Sequence, residues 1–185
     1  FEEMVPGGDV TDWNVYAPQW APVSVVRTPG GDNKALELQD SDPYDYARAI
    51  RIFEEDEEAE IQFTVTAGQK DYGRLEVDVC DRHGNRPVRI HFTEAGEIQA
   101  FDGHARQTVG HYKPGETYAF ELEIDATPYG SYDLEMNGKE VLDDAALTVA
   151  VQSVERLSFR TGPYRNLPNR KTDNEAPPDP LPGAD

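Results

Sequence analysis

This chain is poor in cysteine, lysine and long apolar runs, and each shortage removes a class of protein. Cys80 is the single cysteine among 185 residues. No disulfide can therefore close within the chain, and neither a CxxC pair nor a Cys/His zinc spacing exists. No apolar stretch reaches the roughly 18 residues needed to span a bilayer. Lysine occurs at Lys34, Lys70, Lys113, Lys139 and Lys171, against twelve arginines. In all, 17 Lys+Arg face 36 Asp+Glu, a formal charge of −19. A surface this negative repels phosphate backbones and anionic headgroups, so nucleic acid and membrane are excluded as partners. Hydrophobic residues at 37% and aromatics at 10% still suffice to build a core, and general disorder is excluded too.

High acid content with scarce lysine suits concentrated salt, where screening removes the cost of self-repulsion. Phe1 opens the chain with no signal-like segment, so the sequence reads as a mature or excised piece. From Asn166 to Asp185 the chain is rich in Pro, Asn and Asp. This predicts one domain over residues 1–165 and a linker or surface strap over 166–185, cut from a longer protein.

Between residues 58 and 160 the sequence alternates apolar and polar with period two. Ile61-Phe63-Val65, Leu75-Val77-Val79, Val88-Ile90-Phe92, Phe120-Leu122-Ile124 and Leu157-Phe159 each place one side in a core and leave the other polar. That is the pattern of antiparallel sheets with one covered face. Turn signals fall between these runs: Asp81 to Asn85, Glu94 to Glu97, Lys113 to Glu116, and the hairpin dipeptide Asn137-Gly138. Only Asp143 to Val151 has room for a turn or two of helix, and no internal repeat occurs. The expectation is an all-β, two-sheet antiparallel sandwich of about a dozen strands.

The runs GRLEVDVCDRHGNRPVRIHF, YKPGETYAFELEIDATPYGSYDLEMNGKEV and VERLSFRTG resemble the concanavalin A-like, laminin-G-type jelly roll over roughly residues 20–165. This resemblance implies a β-sandwich jelly roll and a carbohydrate ligand. The fold hosts lectins, binding modules, hydrolases and lyases, so the chemistry must come from the site.

Four constellations bear on that choice. Jelly-roll glucanases resemble one another in a Glu-x-Asp-x-x-Glu strand, but here Glu123-Ile124-Asp125 runs into Pro128, and the motif is broken. Glu121, Glu123 and Asp125 then read as a solvated face paired with arginines of a neighbouring strand. The second constellation is basic: Arg89 and His91 on one strand, Arg156 and Arg160 on another, with Tyr164 and Arg165 beyond the turn. If those strands are neighbours, the arginines form a cationic floor for a uronate carboxylate or a sulfate. The plainer alternative pairs each Arg with Glu76, Asp78, Glu121 or Glu123 across the sheet.

The same residues are similar to the site strands of alginate-lyase-type jelly rolls, Arg89-Ile90-His91 to one and Ser158 to Tyr164 to another, with Arg48 or Arg51 as the further arginine. That resemblance implies β-elimination, with Arg160 and Arg48 neutralising the uronate while His91 and Tyr164 move protons. Sugar-stacking aromatics are the third signal: Trp20 and Tyr44, with Tyr129, sit where no strand period hides them, whereas Trp13 reads as core. Fourth, Asp40, Asp42 and Asp45 lie in one oxygen-rich turn that could hold a structural Ca²⁺. Together these predict a secreted, non-catalytic carbohydrate-binding or accessory module for an anionic polysaccharide, joined to other domains of its parent chain, with a polysaccharide lyase as the alternative.

Overall fold

A computed structural model of the chain describes residues 3–28, 31–42, 45–68 and 73–162. Tyr44, Tyr164, Arg165 and the expected strap at 166–185 lie outside the described residues. The strands are β1 (Asn14–Tyr16), β2 (Val23–Arg27), β3 (Lys34–Leu38), β4 (Arg48–Asp56), β5 (Glu58–Thr66), β6 (Leu75–Cys80) and β7 (Val88–Phe92). They continue as β8 (Glu97–Asp102), β9 (Ala105–His111), β10 (Thr117–Asp125), β11 (Ser131–Met136), β12 (Lys139–Ala146) and β13 (Val154–Thr161). No helix occurs among the described residues. The segment expected to hold a helical turn instead extends β12 to Ala146 and then bends.

A seven-stranded sheet, β1-β4-β13-β6-β7-β8-β9, lies against a four-stranded sheet, β12-β11-β10-β5, with β2 and β3 as a separate hairpin. All pairings are antiparallel. The core is where the two alternating patterns meet. Val77, Val79, Ile90, Phe92 and Ile98 project from the larger sheet, and Phe120, Leu122, Ile124, Tyr132 and Leu134 from the smaller. Trp13 lies 6.1 Å from Phe159, ring to ring, and covers the edge of this core as expected. At the β11–β12 turn Asn137 and Gly138 have φ of 55° and 71°. Two consecutive positive values are what a two-residue primed hairpin turn requires, and this residue pair supplies them cheaply. The same Asn137 ties the turn to β10, its amide oxygen accepting from the Ala119 N–H at 2.9 Å.

Alternation gives each sheet a second face, and the two second faces differ in sign. On the four-stranded sheet Glu60, Glu123 and Asp133 stand in register across β5, β10 and β11, and Glu121, Glu135 and Glu140 across β10, β11 and β12. Glu121 and Glu123 were expected to face arginines; they face other carboxylates, because the arginines sit on the far side of the sandwich. Like charges directly opposite one another destabilise a sheet, and exposed charges are screened by salt. The melting temperature should therefore rise from low to molar NaCl. Glu123→Gln should stabilise the fold by roughly 0.2–1 kcal/mol at low salt, with the gain vanishing at high salt. Thermal melts of both proteins across the series check this; a variant no more stable at low salt would contradict it.

Candidate functional site

The outer face of the seven-stranded sheet carries a cluster of arginines. Register aligns Arg48 on β4, Arg160 on β13, Glu76 on β6 and His91 on β7 in one row. The next row runs Ile50, Ser158, Asp78 and Arg89. Arg89 and His91 thus share a face with Arg160 and Arg48, as the cationic floor requires. The strands are not neighbours, however: β6 lies between β7 and β13, a separation of roughly 9–10 Å, and it places Glu76 and Asp78 among the guanidinium groups. Arg156 lies one row further along, opposite Cys80, and bonds its sequence neighbour Glu155 at 2.9 Å.

Sequence reasoning missed three arginines that complete the set. Arg74, just before β6, approaches Glu76 at 3.5 Å and His91 Nδ1 at 3.1 Å. Arg86, on the β6–β7 connection, reaches Glu76 at 3.4 Å and Asp78 at 3.3 Å. Arg106 on β9 lies 5.5 Å from the centroid of Phe101, over which Arg89 also sits, at 4.5 Å. Phe101 itself was read as no part of a site. Its position on β8, in register with Arg106 and outside the main core cluster, is what turns its ring toward the arginines. Arg74 continues the polar parity of Glu76 and Asp78, and Arg86 lies on a connection with no period, so only the fold brings both onto the acids.

Burial governs the electrostatics. Glu76, Asp78, His91 and Arg160 are 2%, 3%, 1% and 3% exposed. Burial raises the Asp78 carboxyl to about 6, with the Glu76 charge adding to it while Arg86 and Arg89 oppose it. His91 goes the other way, down to about 2, first through burial and then through the surrounding arginines. Its two nitrogens face Arg74 at 3.1 Å and Arg89 at 3.3 Å. A neutral imidazole has one acceptor nitrogen, so in either tautomer one ring N–H points at a guanidinium. The buried Nε atoms of Arg48, Arg74 and Arg89 have no hydrogen-bond partner. Arg160 lies against Tyr46, its guanidinium carbon 4.0 Å from the ring centroid. Cys80 is buried beside Arg156, and its thiol is pushed up to about 12, far from nucleophilic.

The remaining expected site residues fall elsewhere. Trp20 is 61% exposed in the turn before β2, and Tyr129 projects fully from the β10–β11 turn. Asp40 accepts from the Asp42 N–H at 2.9 Å and from the Thr161 hydroxyl, and Asp45 accepts from the Tyr16 hydroxyl at 3.0 Å. Asp40, Asp42 and Asp45 do not gather into a group that could hold a metal ion, and no such group of three occurs among the described residues. The turn is instead tied to β13 and β1 by these hydroxyls, which fixes Tyr46 over Arg160.

A family profile described as "Sialidase-like, CBM domain" matches residues 13–176. Among solved structures, a sialidase is 31% identical with a TM-score of 0.80, over 97% of this chain and 16% of that one. The chain therefore spans about a sixth of that sialidase's length. A carbohydrate esterase from the Shiga toxin-encoding bacteriophage phi24B is 12% identical with a TM-score of 0.51, covering 80% of this chain and 81% of that one. The T. cruzi calreticulin globular domain is 9% identical with a TM-score of 0.55, covering 82% and 78%. These last two share the fold alone. No curated protein matches the chain.

His91 also sets an expectation for stability against pH. Its folded pKa lies below the unfolded value of 6.5, so the unfolded chain binds the extra proton. Stability present above pH 6.5 is lost progressively as the pH falls toward 2. Asp78, raised from 3.8 to about 6, acts in the opposite direction between those two values. Comparing His91→Gln with the parent isolates the histidine: urea melts should show a shallower acid-side loss in the variant, and parallel curves would contradict the assignment.

Proposed function

The chain belongs to the sialidase-like CBM domain family, and from that premise we propose that it is a non-catalytic module holding an anionic glycan on the arginine face of its seven-stranded sheet. The observation that carries this reading is the set of buried, unpartnered Nε donors on Arg48, Arg74 and Arg89 in a chain of net charge −19. Leaving buried donors unpaired costs free energy, and a carboxylate or sulfate is the group whose geometry satisfies a guanidinium fork. Arg74, Arg86 and Arg89 each keep about a fifth of their side chain exposed, so a ligand can reach them from solvent. The similar sialidase is named for an enzyme of a carboxylated sugar, which agrees with an acidic monosaccharide as the recognised unit. The module would work outside the cell within a longer chain whose other domains supply the chemistry, with Trp20 and Tyr129 as exposed rings for further sugar contact.

The lyase alternative asks His91 or Tyr164 to take a proton. His91, buried among guanidinium groups with its pKa near 2, is a poor base at neutral pH, and Tyr164 lies outside the described residues. Gel affinity electrophoresis against polygalacturonate, alginate and a sialylated glycoprotein, with a neutral glucan as control, separates the readings. Retardation by an acidic glycan is expected, weakened roughly tenfold or more in Arg89→Ala or Arg74→Ala, as the loss of a charged hydrogen bond of about 1.5–3 kcal/mol implies. Ultraviolet absorbance from an unsaturated product would establish the lyase instead, and silence in both assays would overturn glycan binding.

A further inference from the structure

The Asp78–Arg89 contact has an unusual geometry. Asp78 Oδ1 and Arg89 Nε approach to 3.6 Å, and both atoms are buried without a hydrogen-bond partner. The second oxygen of the same carboxylate reaches Arg86 at 3.3 Å. The long contact leaves the Arg89 Nε donor without a hydrogen bond, and Arg86 divides itself between Asp78 and Glu76, which it reaches at 3.4 Å. An incoming carboxylate or sulfate on those arginines would lie beside Asp78, and two anions sharing one site raise each other's affinity for a proton.

We infer that Asp78 is an internal substitute for the ligand's acid group: it holds Arg86 and Arg89 until an anionic sugar competes for them, and its protonation favours the sugar. This rests on the reading above that the face takes an anionic glycan. Asp78 stands in register with Arg89 on β7 and Ser158 on β13, and is faced by Arg86 from the β6–β7 connection and by Glu76 along β6; the next row holds His91 and Arg160 opposite Glu76, and Arg156 and Asp81 surround the neighbouring Cys80. His91 stays neutral and Cys80 stays protonated through the range from pH 5 to 8. Asp78, raised to about 6 by burial, changes charge inside it. By reciprocity, binding an anion must draw a proton onto Asp78 wherever the proton favours binding.

Isothermal titration calorimetry with galacturonate oligomers and with sialyllactose, using lactose as the neutral control, tests the competition. Affinity for an acidic probe should rise as the pH falls from 8 to 5, roughly tenfold for each unit by which binding raises the Asp78 pKa. Near pH 6.5 the apparent enthalpy should change with the ionisation enthalpy of the buffer, which reports proton uptake by the unaltered protein. Asp78→Asn should bind at pH 8 about as tightly as the parent does at pH 5, with a flat pH profile and no uptake. Binding that is pH-independent in the parent, or uptake that persists in Asp78→Asn, overturns the competition while leaving glycan binding intact. Should Asp78→Asn fail to fold, the parent's proton uptake alone decides. Failure of both acidic probes to bind at any pH overturns both readings together.

Discussion

Two carboxylates on β6, Glu76 and Asp78, are buried on the side of the sheet that faces away from the core, and the arrangement around them follows from the need to keep them company. Burying an ion costs several kcal/mol unless its charge is answered at close range. Arg74, Arg86 and Arg89 answer it from a loop, a connection and the adjacent strand. The same β6 residues that alternate with the acids, Val77 and Val79, are among the best-buried members of the core. One strand thus commits the sandwich on one side and the charged network on the other, and neither can shift register without exposing valines and burying unpaired acids.

The two charge signs are segregated. Arg48, Arg160, Arg89 and Arg106 gather on the outer face of the larger sheet, while Glu60, Glu121, Glu123, Asp133, Glu135 and Glu140 line the far sheet in rows. Segregation of this kind costs stability on both sheets, since unlike charges would have paired had they been mixed. It would also reconcile an acidic protein with the acidic ligand proposed for it. The long-range repulsion from a charge of −19 is carried by exposed groups and is screened within a Debye length. The short-range attraction of partly buried guanidinium groups is screened far less. Salt therefore removes the barrier to approach while sparing the contacts that hold.

Much of this was legible before any fold was known, and the remainder was hidden for definable reasons. Period-two alternation exposes which residues share a face, so Arg89 with His91, and Arg156 with Arg160, could be read directly, as could the Asn137-Gly138 hairpin. Strand order is not written in periodicity: the interposition of β6, which makes Glu76 and Asp78 the partners of the arginines and removes Glu121 and Glu123 from contention, emerges only from long-range pairing. Arg86 lies on a connection and carries no period, while Arg74 shares the parity of Glu76 and Asp78 but nothing in the sequence turns its guanidinium back onto Glu76 and His91. Phe101 carries no site signal in the sequence, because an aromatic ring turned toward guanidinium groups looks there like any other ring. The 40–45 segment shows a different kind of hidden contact. Asp40 bonds toward β13 and Asp45 toward β1, and spacing along one segment does not announce hydroxyl partners on distant strands.

What the arginine face contains also argues for what it does. Acid–base catalysis needs a group that exchanges protons near neutral pH and can meet its substrate. His91 is 1% exposed and held neutral first by burial and then by its guanidinium neighbours, and the buried Cys80 thiol keeps its proton. Binding needs something else, donors fixed in place before the ligand arrives, so that the ordering cost is met by folding and not by association. Arg160 pressed against Tyr46, Arg89 over Phe101, and Arg74 against His91 are side chains already immobilised on a sheet. Their remaining hydrogen-bond capacity points where an acidic sugar could use it. Donors fixed by folding in this way suit the holding of a ligand, which is the role proposed for this face.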